Sequence, residues 1–510
     1  MIQSIDYFAI APPVVLALVA GLVLVLDAFL PASRWVRALL AGVTLAGILG
    51  AAGFVLAQAF SGGKPLSTFC VPKDLAASQK IAVASAGPAP CSFVVDQFTL
   101  IFAGLVLAAG LVVVLLSMTE LAEGRIPVGE WYFLLLCALV GAVTLPASRD
   151  LIMLLVALEL VSLPVFALTA LRRYDGRASE AAIKLFLVSI VSTAVMLFGI
   201  SLLYGMSGTV YLTQLAAVFA TGRDAPVITV GVVLVVAGFA FKIAAVPFHA
   251  WAADVYEGAP IPVAALLSVV SKASGFAGLI LVMLTALSAH AATWAPIVAI
   301  VSALTMTVGN LLAMRQRSAV RLLAWSSVAQ SGYILAPLAV QEAGAVNAAV
   351  AYLVIYAAMN LGAFAVVMLV SRYAAGNSLE DYRGLVFRSP VAALTLAFSL
   401  ICLAGLPPGL AGLFAKVVVF REIVQGGLGW LAVVMAINTV IGLYYYVVWA
   451  AKLFTPAAGE ALAGGRLGAG RFGGGLAATW VAAGLAVVVA VAFSVAPQLV
   501  LDAVVVSASG

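Results

Sequence analysis

Long apolar stretches separated by short polar loops recur along the whole chain. Each stretch is about long enough to cross a ~30 Å hydrocarbon core as a helix. We read helices as apolar runs bounded by glycine, proline and charged residues. The pattern predicts an all-α polytopic membrane protein with about fourteen transmembrane helices, numbered here 1 to 14, at 8–31, 36–60, 96–118, 131–147, 150–171, 180–205, 227–256, 262–287, 294–313, 321–340, 346–371, 391–424, 428–454 and 476–500.

Two of the predicted helices are longer than a simple crossing and contain proline. Helix 7 is interrupted at Pro247, and helix 12 is interrupted at Pro407 and Pro408. Proline lacks the N–H that would bond four residues back, so main-chain carbonyl groups are left free at membrane depth. In several transporter folds, broken helices in corresponding positions of two repeats mark the transport site. We therefore predict two inverted five-helix repeats, helices 4–8 and helices 9–13, each with its fourth helix broken.

This helix order divides the chain into four parts. Residues 1–130 hold helices 1 to 3 and a long external loop at 61–95. Residues 131–287 form the first repeat, and residues 294–455 form the inverted second repeat. Residues 456–510 contain a glycine-rich cytoplasmic loop and helix 14.

Composition supports a membrane location and gives an orientation. Of the 510 residues, 65% are hydrophobic and 9% are charged, whereas roughly a quarter are charged in a soluble domain. Numbering the loops alternately places fifteen of the 25 lysines and arginines on one side and six on the other. Because cytoplasmic loops are enriched in Lys and Arg, both termini are predicted outside a bacterial cell membrane. The basic residues form no continuous patch, so the net charge of +5 predicts no nucleic-acid partner.

The four cysteines allow one specific inference. Cys70 and Cys91 flank a polar segment in the external loop, where a disulfide can persist, but the sequence leaves its presence open. Cys137 and Cys402 lie in apolar runs and are expected to be buried thiols. No CxxC, HExxH, Walker or GxGxxG motif stands in a suitable context, so we expect no metal, haem, iron–sulfur, flavin or nucleotide site in this chain.

The four basic residues that the loop count assigns to neither side are lysines inside predicted helices. Ionisable groups at bilayer depth cost roughly 2.5 to 3.5 kcal/mol each on insertion scales, so each is expected to have a specific role. With them we group a carboxylate in helix 5 and a histidine beside the helix 7 break, which is expected on the same face of helix 7 as its lysine, two turns along. The candidate site residues are Glu159, Lys184, Lys242, His249, Lys272 and Lys416.

The residue type indicates what this set does. Desolvation disfavours a charged ammonium, and a nearby carboxylate favours it, so a lysine with a movable carboxylate partner can gain and lose a proton. Arginine stays protonated, and 17 of the other 21 basic residues are arginine. Structural alternatives remain open: Lys184 can snorkel to the interface, the other lysines can form packing ion pairs, and His249 can bond a carbonyl. Asp254 and Glu257 are expected at the inner mouth, as proton donors or as turn caps.

Four sequence motifs together resemble one protein family. These are FKIAAVPFH, PFHAWAADVYEGAPIPV, SVVSKASG and GLPPGLAGLFAK. They resemble the antiporter-like N subunits of bacterial NADH:quinone oxidoreductase, respiratory complex I, over about residues 8–500. The resemblance implies fourteen helices with inverted repeats, and a proton-pumping subunit without its own redox centre. One departure is WAADVYEG, since a proline commonly precedes the aspartate in the family.

The resemblance also implies roles for single residues. Glu159 resembles the helix 5 glutamate that pairs with a buried lysine, either Lys184 or Lys242. Lys272 resembles the relay lysine of helix 8, and Lys416 the helix 12 lysine of the exit half-channel. NADH, FMN, iron–sulfur clusters and quinone are then expected in partner subunits, with lipid and other membrane subunits around this chain and an external partner at loop 61–95. The alternatives are a subunit of a multisubunit cation/proton antiporter and a non-transporting membrane scaffold.

Overall fold

The architecture comes from a computed structural model that describes residues 5–61, 65–72, 90–122, 124, 126–172, 174–222, 225–342, 344–374, 376–456 and 474–504. The described residues leave out much of the predicted loop 61–95 and most of the loop before helix 14. They also leave out several of the basic residues in these loops. Each predicted helix coincides with an observed one. Eleven of the described helices are long and apolar enough to cross a membrane, while the number of crossings stays a prediction.

The main helices keep the numbers of the predicted segments. Helices 7 and 12 each consist of two halves, labelled a and b, and the bounds of all the main helices follow. They are α1 (Ala11–Phe29), α2 (Arg34–Phe60), α3 (Gln97–Leu121), α4 (Val128–Thr144), α5 (Leu151–Ala170), α6 (Gly176–Ser207), α7a (Pro226–Lys242), α7b (Ala250–Gly258), α8 (Ile261–Ala286), α9 (Ala291–Ala313), α10 (Ala319–Leu335), α11 (Ala345–Ser371), α12a (Pro390–Ala404), α12b (Leu410–Gln425), α13 (Gly429–Phe454) and α14 (Gly474–Val495). Shorter helical elements are Leu145–Ala147, Leu212–Phe219, Ser288–His290, Ala336–Ala339, Leu379–Tyr382, Leu385–Arg388 and Gln498–Leu501.

Side-chain caps fix where several of these helices begin. The Asp96 carboxylate accepts the N–H of Thr99 at 2.9 Å, which starts α3. The Asp150 carboxylate accepts the N–H of Met153 at 2.7 Å, which starts α5. Each cap satisfies an N–H that has no partner within its own helix. Local side chains thus set where α3 and α5 begin.

The two predicted helix breaks are confirmed. α7a ends at Lys242 and α7b begins at Ala250, with Pro247 in the connection. α12a ends at Ala404 and is followed by Gly405, whose φ of 82° lies in the left-handed region that glycine tolerates. α12b begins beyond the two prolines at Leu410. α8 packs beside the helix 7 break, where a Cβ at Gly275 would lie 3.2 Å from the Lys242 Cβ, and contains a π-helical segment, Leu267–Ser271, directly before Lys272. The inverted relation between the two five-helix sets stays a prediction.

A small β-hairpin precedes α3, where the sequence predicts only a loop. Strands β1 (Leu66–Cys70) and β2 (Cys91–Val95) pair antiparallel, with Cys70 opposite Cys91. A disulfide joins these two cysteines, which answers the question that the sequence leaves open. The N–H of Arg149, between α4 and α5, donates to the Ser92 carbonyl at 2.8 Å. We call this side of the protein the hairpin side and the opposite side the far side.

A buried carboxylate on the far side joins three parts of the chain. Glu120, near the end of α3, is 4% exposed and pairs with Arg172, beyond α5, and with Arg372, beyond α11. The Arg372 Nη2 to Glu120 Oε2 distance is 2.8 Å. This buried carboxylate therefore ties the chain beyond α5 and beyond α11 to the end of α3. Sequence reasoning missed Glu120 because it stands at the edge of an apolar run, next to residues that read as a loop.

Replacing Glu120 by alanine is expected to destabilise the protein by about 3 kcal/mol, because two partly buried guanidinium groups lose their carboxylate. The matched control is Glu380→Ala on the same side. Glu380 is 60% exposed, and the hydrogen bond from Lys452 lowers the pKa of its carboxyl. Exposed pairs of this kind contribute about 1 kcal/mol or less. Thermal unfolding in detergent measures both, and equal shifts of the two midpoints would contradict the assignment.

Candidate functional site

Glu159 and Lys242 face each other across α5 and α7a. The Lys242 Nζ lies 3.7 Å from the Glu159 Oε1, which also accepts a hydrogen bond from the Thr193 hydroxyl at 2.7 Å. Lys242 Nζ donates to the hydroxyls of Ser162 at 2.5 Å and Ser189 at 3.1 Å. Of the two partners that the resemblance allows for Glu159, the structure brings it to Lys242. Lys242 is buried, whereas the Glu159 side chain is 25% exposed at the outer face of α5.

A small cavity lies against Lys242. Its volume is about 20 Å³, and its lining includes the hydroxyls of Ser162, Ser189 and Ser271. A cavity needs at least about 10–15 Å³ and two to four polar partners to hold a water molecule. This cavity meets both requirements for one water, between Lys242 and the π-helical segment of α8.

Lys272 is fully enclosed by α8, α10 and α11. Its Nζ donates to the Ser331 hydroxyl at 2.6 Å and to the Ser327 carbonyl. The Ser331 hydroxyl in turn donates to the carbonyl of Ile243 at 2.6 Å. Ile243 is the residue next to Lys242. The serine therefore links the lysine of α8 to the point where helix 7 breaks.

Lys416 occupies the break in helix 12. Its Nζ donates to the carbonyls of Ala404 at 2.7 Å and Leu403 at 3.2 Å, at the end of α12a. These carbonyls have no partner within the helix because the chain turns away at Gly405. An ammonium group at a helix C-terminus also interacts favourably with the helix dipole. Lys416 thus stabilises the broken ends and stays at membrane depth.

Each of the three buried lysines lies against an aromatic ring. Lys242 Nζ is 5.7 Å from the Phe241 ring centroid, Lys272 Nζ is 5.5 Å from that of Tyr356, and Lys416 Nζ is 5.4 Å from that of Tyr333. A cation over a ring face within about 6 Å is attracted to the ring. The rings lower the cost of charge in a place with little water.

A network of buried hydroxyl and amide groups lies between Lys272 and Lys416. The Tyr352 hydroxyl donates to Gln330 Oε1 at 2.6 Å, and the Gln330 amide donates to the Tyr446 hydroxyl at 3.2 Å. Tyr352 stacks on Tyr333, whose ring Lys416 faces. The Tyr356 hydroxyl donates to Ser327 at 2.9 Å. Sequence reasoning missed these residues, although α10 carries Ser327, Gln330 and Tyr333 in an unusually polar run, SSVAQSGY.

His249 lies in the connection between α7a and α7b. The expectation that it shares a helical face with Lys242 is wrong, because the helix ends at Lys242 and begins again at Ala250. Its ring is half-buried and packs edge-on against Trp325, with 5.5 Å between the ring centroids. The structure places His249 in the break, against Trp325 of α10.

Lys184 does not belong to the buried set. Its side chain is 43% exposed, and its Nζ reaches Glu180 at 2.7 Å and Asp254 at 3.0 Å on the far side. Arg321 pairs with the same Asp254 at 3.0 Å and with Glu257 at 2.7 Å. The expectation that Lys184 is buried is therefore wrong: it lies close to the helix end and reaches carboxylates at the surface.

A further buried carboxylate escaped the sequence analysis. Glu422 lies on the buried stripe of α12b that also carries Lys416, one to two turns toward the hairpin side. Its carboxyl group packs against Gly344, which precedes α11, so closely that a Cβ there would lie 2.4 Å from an oxygen. The positive end of a helix dipole favours a carboxylate at this position. Sequence reasoning missed Glu422 because it lies near the end of predicted helix 12, where a charged side chain is expected at the membrane surface.

Comparison with known proteins places this arrangement in a family. Residues 148–442 match the family model described as NADH:quinone oxidoreductase/Mrp antiporter, TM. The chain is 51% identical over 467 residues to NADH-quinone oxidoreductase subunit N 2 of Streptomyces griseus subsp. griseus, covering 89% of this chain and 84% of that protein. It is 45% identical to NADH-quinone oxidoreductase subunit N of Salinispora tropica, over 89% of this chain and 86% of that protein.

Solved structures share the fold. A chain of respiratory complex I from Thermus thermophilus with bound aureothin matches with a TM-score of 0.74 and 28% identity, over 97% of this chain and 99% of that chain. A chain of the Mrp complex from a Dietzia species matches with a TM-score of 0.77 and 22% identity, over 98% and 97% of the two chains, which shows the fold alone. This chain therefore belongs to the antiporter-like N subunits of bacterial NADH-quinone oxidoreductase, respiratory complex I.

Proposed function

We propose that this chain moves protons across the membrane as the N subunit of NADH-quinone oxidoreductase, and that Glu159, Lys242, Lys272 and Lys416 carry them. Other membrane subunits of the complex are its partners. Quinone reduction elsewhere in the complex supplies the free energy, and the redox cofactors belong to other subunits of the complex. This chain contributes no redox step.

One observation carries the proposal: three buried ammonium groups lie along a row of polar contacts at the two helix breaks. Lys242 contacts Glu159 and two serines, Lys272 reaches the carbonyl beside Lys242 through Ser331, and Lys416 caps the broken α12a. An unpaired charge at this depth is costly, so where one is kept it usually marks a transport pathway. Only Lys242 has a carboxylate partner among these three within the described residues. Packing ion pairs therefore do not account for the row.

The pair at the start of the row has the geometry of a switch. At 3.7 Å, Glu159 and Lys242 attract each other without a direct hydrogen bond, because Thr193 and Ser162 bind them separately. A small displacement of α5 or α7a changes this distance, and the ammonium form of Lys242 then gains or loses the stabilisation by the carboxylate. Glu159 is also reachable from outside the chain, since its side chain is 25% exposed. A neighbouring subunit can thus bias the pair.

His249 and Asp254 belong to the approach to Lys242 in this proposal. Asp254, on α7b, pairs with Arg321 and Lys184 on the far side. His249 lies in the break between α7a and α7b. If the positive-inside distribution sets the orientation, the far side is cytoplasmic and both termini are outside. Asp254 then collects protons from the cytoplasm for Lys242, and Lys184 only pairs with it at the surface.

The link between Lys242 and Lys272 gives a direct test. Ser331→Ala removes the hydroxyl that joins Lys272 to the Ile243 carbonyl, so we expect slower NADH-driven proton uptake in proteoliposomes with the complex still assembled. The matched control is Ser274→Ala, because the Ser274 hydroxyl is also buried but bonds only the Val270 carbonyl of its own helix. Equal rates in the two variants would remove Ser331 from the path.

The same preparation separates the rival functions. A cation/proton antiporter subunit would exchange sodium for protons without NADH, whereas the proposed function requires NADH oxidation for any proton flux. If the chain is only a scaffold, replacing Lys272 by methionine leaves the NADH-driven proton flux of the complex unchanged. Loss of NADH-linked pumping in that variant, with quinone reduction intact, supports the proton path over both.

A further inference from the structure

Glu422 is a buried carboxylate outside the row from Glu159 to Lys416. Its side chain is 8% exposed, on the stripe of α12b that also carries Lys416. Among the described residues, no lysine, arginine or histidine nitrogen lies within 4.0 Å of its carboxylate. A buried carboxylate without a cation is costly, and ionisable groups kept inside a membrane usually serve transport. This position therefore points to a function for Glu422 beyond packing.

Glu422 lies between Lys416 and the hairpin-side surface. It stands six positions after Lys416, which is about 9 Å along the helix axis. Arg421 is the only other ionisable residue between Lys416 and the end of α12b. Arg421 is exposed, and arginine keeps its proton under ordinary conditions. Glu422 is thus the one group on this stretch of α12b that can accept a proton from Lys416 and lose it again.

The carboxyl group lies where α12b meets the loop before α11. A Cβ at Gly344 would overlap with the carboxyl oxygens, so glycine leaves the room that the carboxyl group occupies. Gly344 is half-buried, and Glu342, two positions earlier, is exposed. Glu422 therefore lies just beneath an exposed loop, where water on the hairpin side can receive a proton from it.

An apolar side chain separates Lys416 from Glu422. Val419 is fully buried and stands between them on the same stripe of α12b. The axial separation of about 9 Å is roughly three hydrogen-bond lengths, so waters must bridge it for a proton to cross. Apolar constrictions in membrane proteins open and close by gaining and losing water. A constriction at Val419 would keep protons from returning to Lys416 between turnovers.

We propose that Glu422 accepts the proton that Lys416 releases and passes it to water on the hairpin side. This inference rests on the proposed function, which assigns Lys416 to the proton path. The Lys416 ammonium gives one proton to a bridging water, and the Glu422 carboxylate takes one from that water, so both side chains become neutral. Glu422 returns to its carboxylate form when it releases the proton, and Lys416 returns to its ammonium form when the next proton arrives.

Glu422→Gln tests the proposal, because glutamine keeps the size of the side chain but takes up no proton at neutral pH. In proteoliposomes of the intact complex, we expect it to lose as much NADH-driven proton pumping as Lys272→Met, which blocks the path upstream. Glu422→Asp keeps a carboxylate and is expected to restore most of the pumping. The matched control is Glu342→Gln, which removes an exposed carboxylate on the same side and should pump normally.

The comparison with Lys272→Met separates this proposal from the proposed function. Losses in both Glu422→Gln and Lys272→Met, with pumping restored in Glu422→Asp, support a proton-transfer role for Glu422. Normal pumping by Glu422→Gln beside a loss in Lys272→Met would overturn that role and leave the lysine path in place. Equal losses in Glu422→Gln and Glu422→Asp, with lowered unfolding temperatures, would also overturn it, since the side chain would then only hold α12b against α11.

The unmodified complex gives a second readout if Glu422→Gln fails to assemble. Dicyclohexylcarbodiimide forms an N-acylurea with a carboxyl group that holds a proton in apolar surroundings. We expect mass spectrometry of the peptides to find Glu422 modified faster during NADH oxidation than at rest, with the exposed Glu342 unmodified in both states. Modification of Glu422 at the same rate with and without NADH would overturn the proposal.

Discussion

Replacing Lys242 by alanine is expected to abolish proton pumping through this subunit while the complex still assembles. The change removes the ammonium that faces Glu159 and leaves the two serine hydroxyls, which one water can satisfy in the enlarged cavity. A positioned proton-transfer group contributes roughly 10²–10⁴-fold to a rate. Fluorescence quenching of a pH probe in NADH-energised proteoliposomes measures the loss, with NADH oxidation followed in parallel.

Lys184→Ala is the matched control, because it removes a lysine from the same five-helix set. The Lys184 side chain is 43% exposed, and its partner Asp254 keeps the ion pair with Arg321. We therefore expect pumping close to that of the unmodified complex. Normal pumping by Lys242→Ala, or equal losses in both variants, would show that the buried position of Lys242 has no special part in transport.

Lys416→Arg is expected to block proton release although it preserves the positive charge. A guanidinium group has more than enough N–H donors to cap the Leu403 and Ala404 carbonyls, so the broken helix should keep its structure. Arginine does not lose its proton under ordinary conditions, so a proton arriving from Lys272 finds no acceptor. The variant separates the structural role of Lys416 from its proposed chemical role. Proton pumping per NADH oxidised is the quantity to measure.

The control for this exchange is Lys452→Arg, on α13 at the far side. Lys452 pairs with Glu380 in an exposed ion pair, and arginine can make the same pair. Pumping should be unchanged there and strongly reduced in Lys416→Arg. Full activity of Lys416→Arg would mean that Lys416 only caps the helix.

The fold is predictable from the sequence because its main signals are local. Apolar runs long enough to span a bilayer, interrupted by charge and glycine, identify the helices without any knowledge of their neighbours. The breaks follow from Pro247 and from Pro407 and Pro408, since proline cannot continue a hydrogen-bonded ladder. The hairpin escaped prediction because it pairs two segments on either side of a long polar loop.

The site is only partly predictable, because it depends on which helices face each other. The three buried lysines were identified by their cost at membrane depth, which is a property of each residue alone. The choice between Lys184 and Lys242 as the partner of Glu159 depends on how α5, α6 and α7a pack. The alignment of His249 failed because a helical period does not continue across a break. The serines and tyrosines of α10 and α11 carry no charge, so their role depends on contacts that a sequence does not show.

The proposed path of protonatable groups from Glu159 to Lys416 has two gaps that water must close. One is beside the Ile243 carbonyl, which has no proton to pass on, and the other is where Lys416 faces the ring of Tyr333 rather than its hydroxyl. An experimental density map of the complex that shows ordered water tests this path. We expect one water in the cavity beside Lys242 and bridging waters between the Gln330 and Tyr352 pair and the Lys416 ammonium. A dry, close-packed gap between Lys272 and Lys416 in every state of the working complex would contradict it.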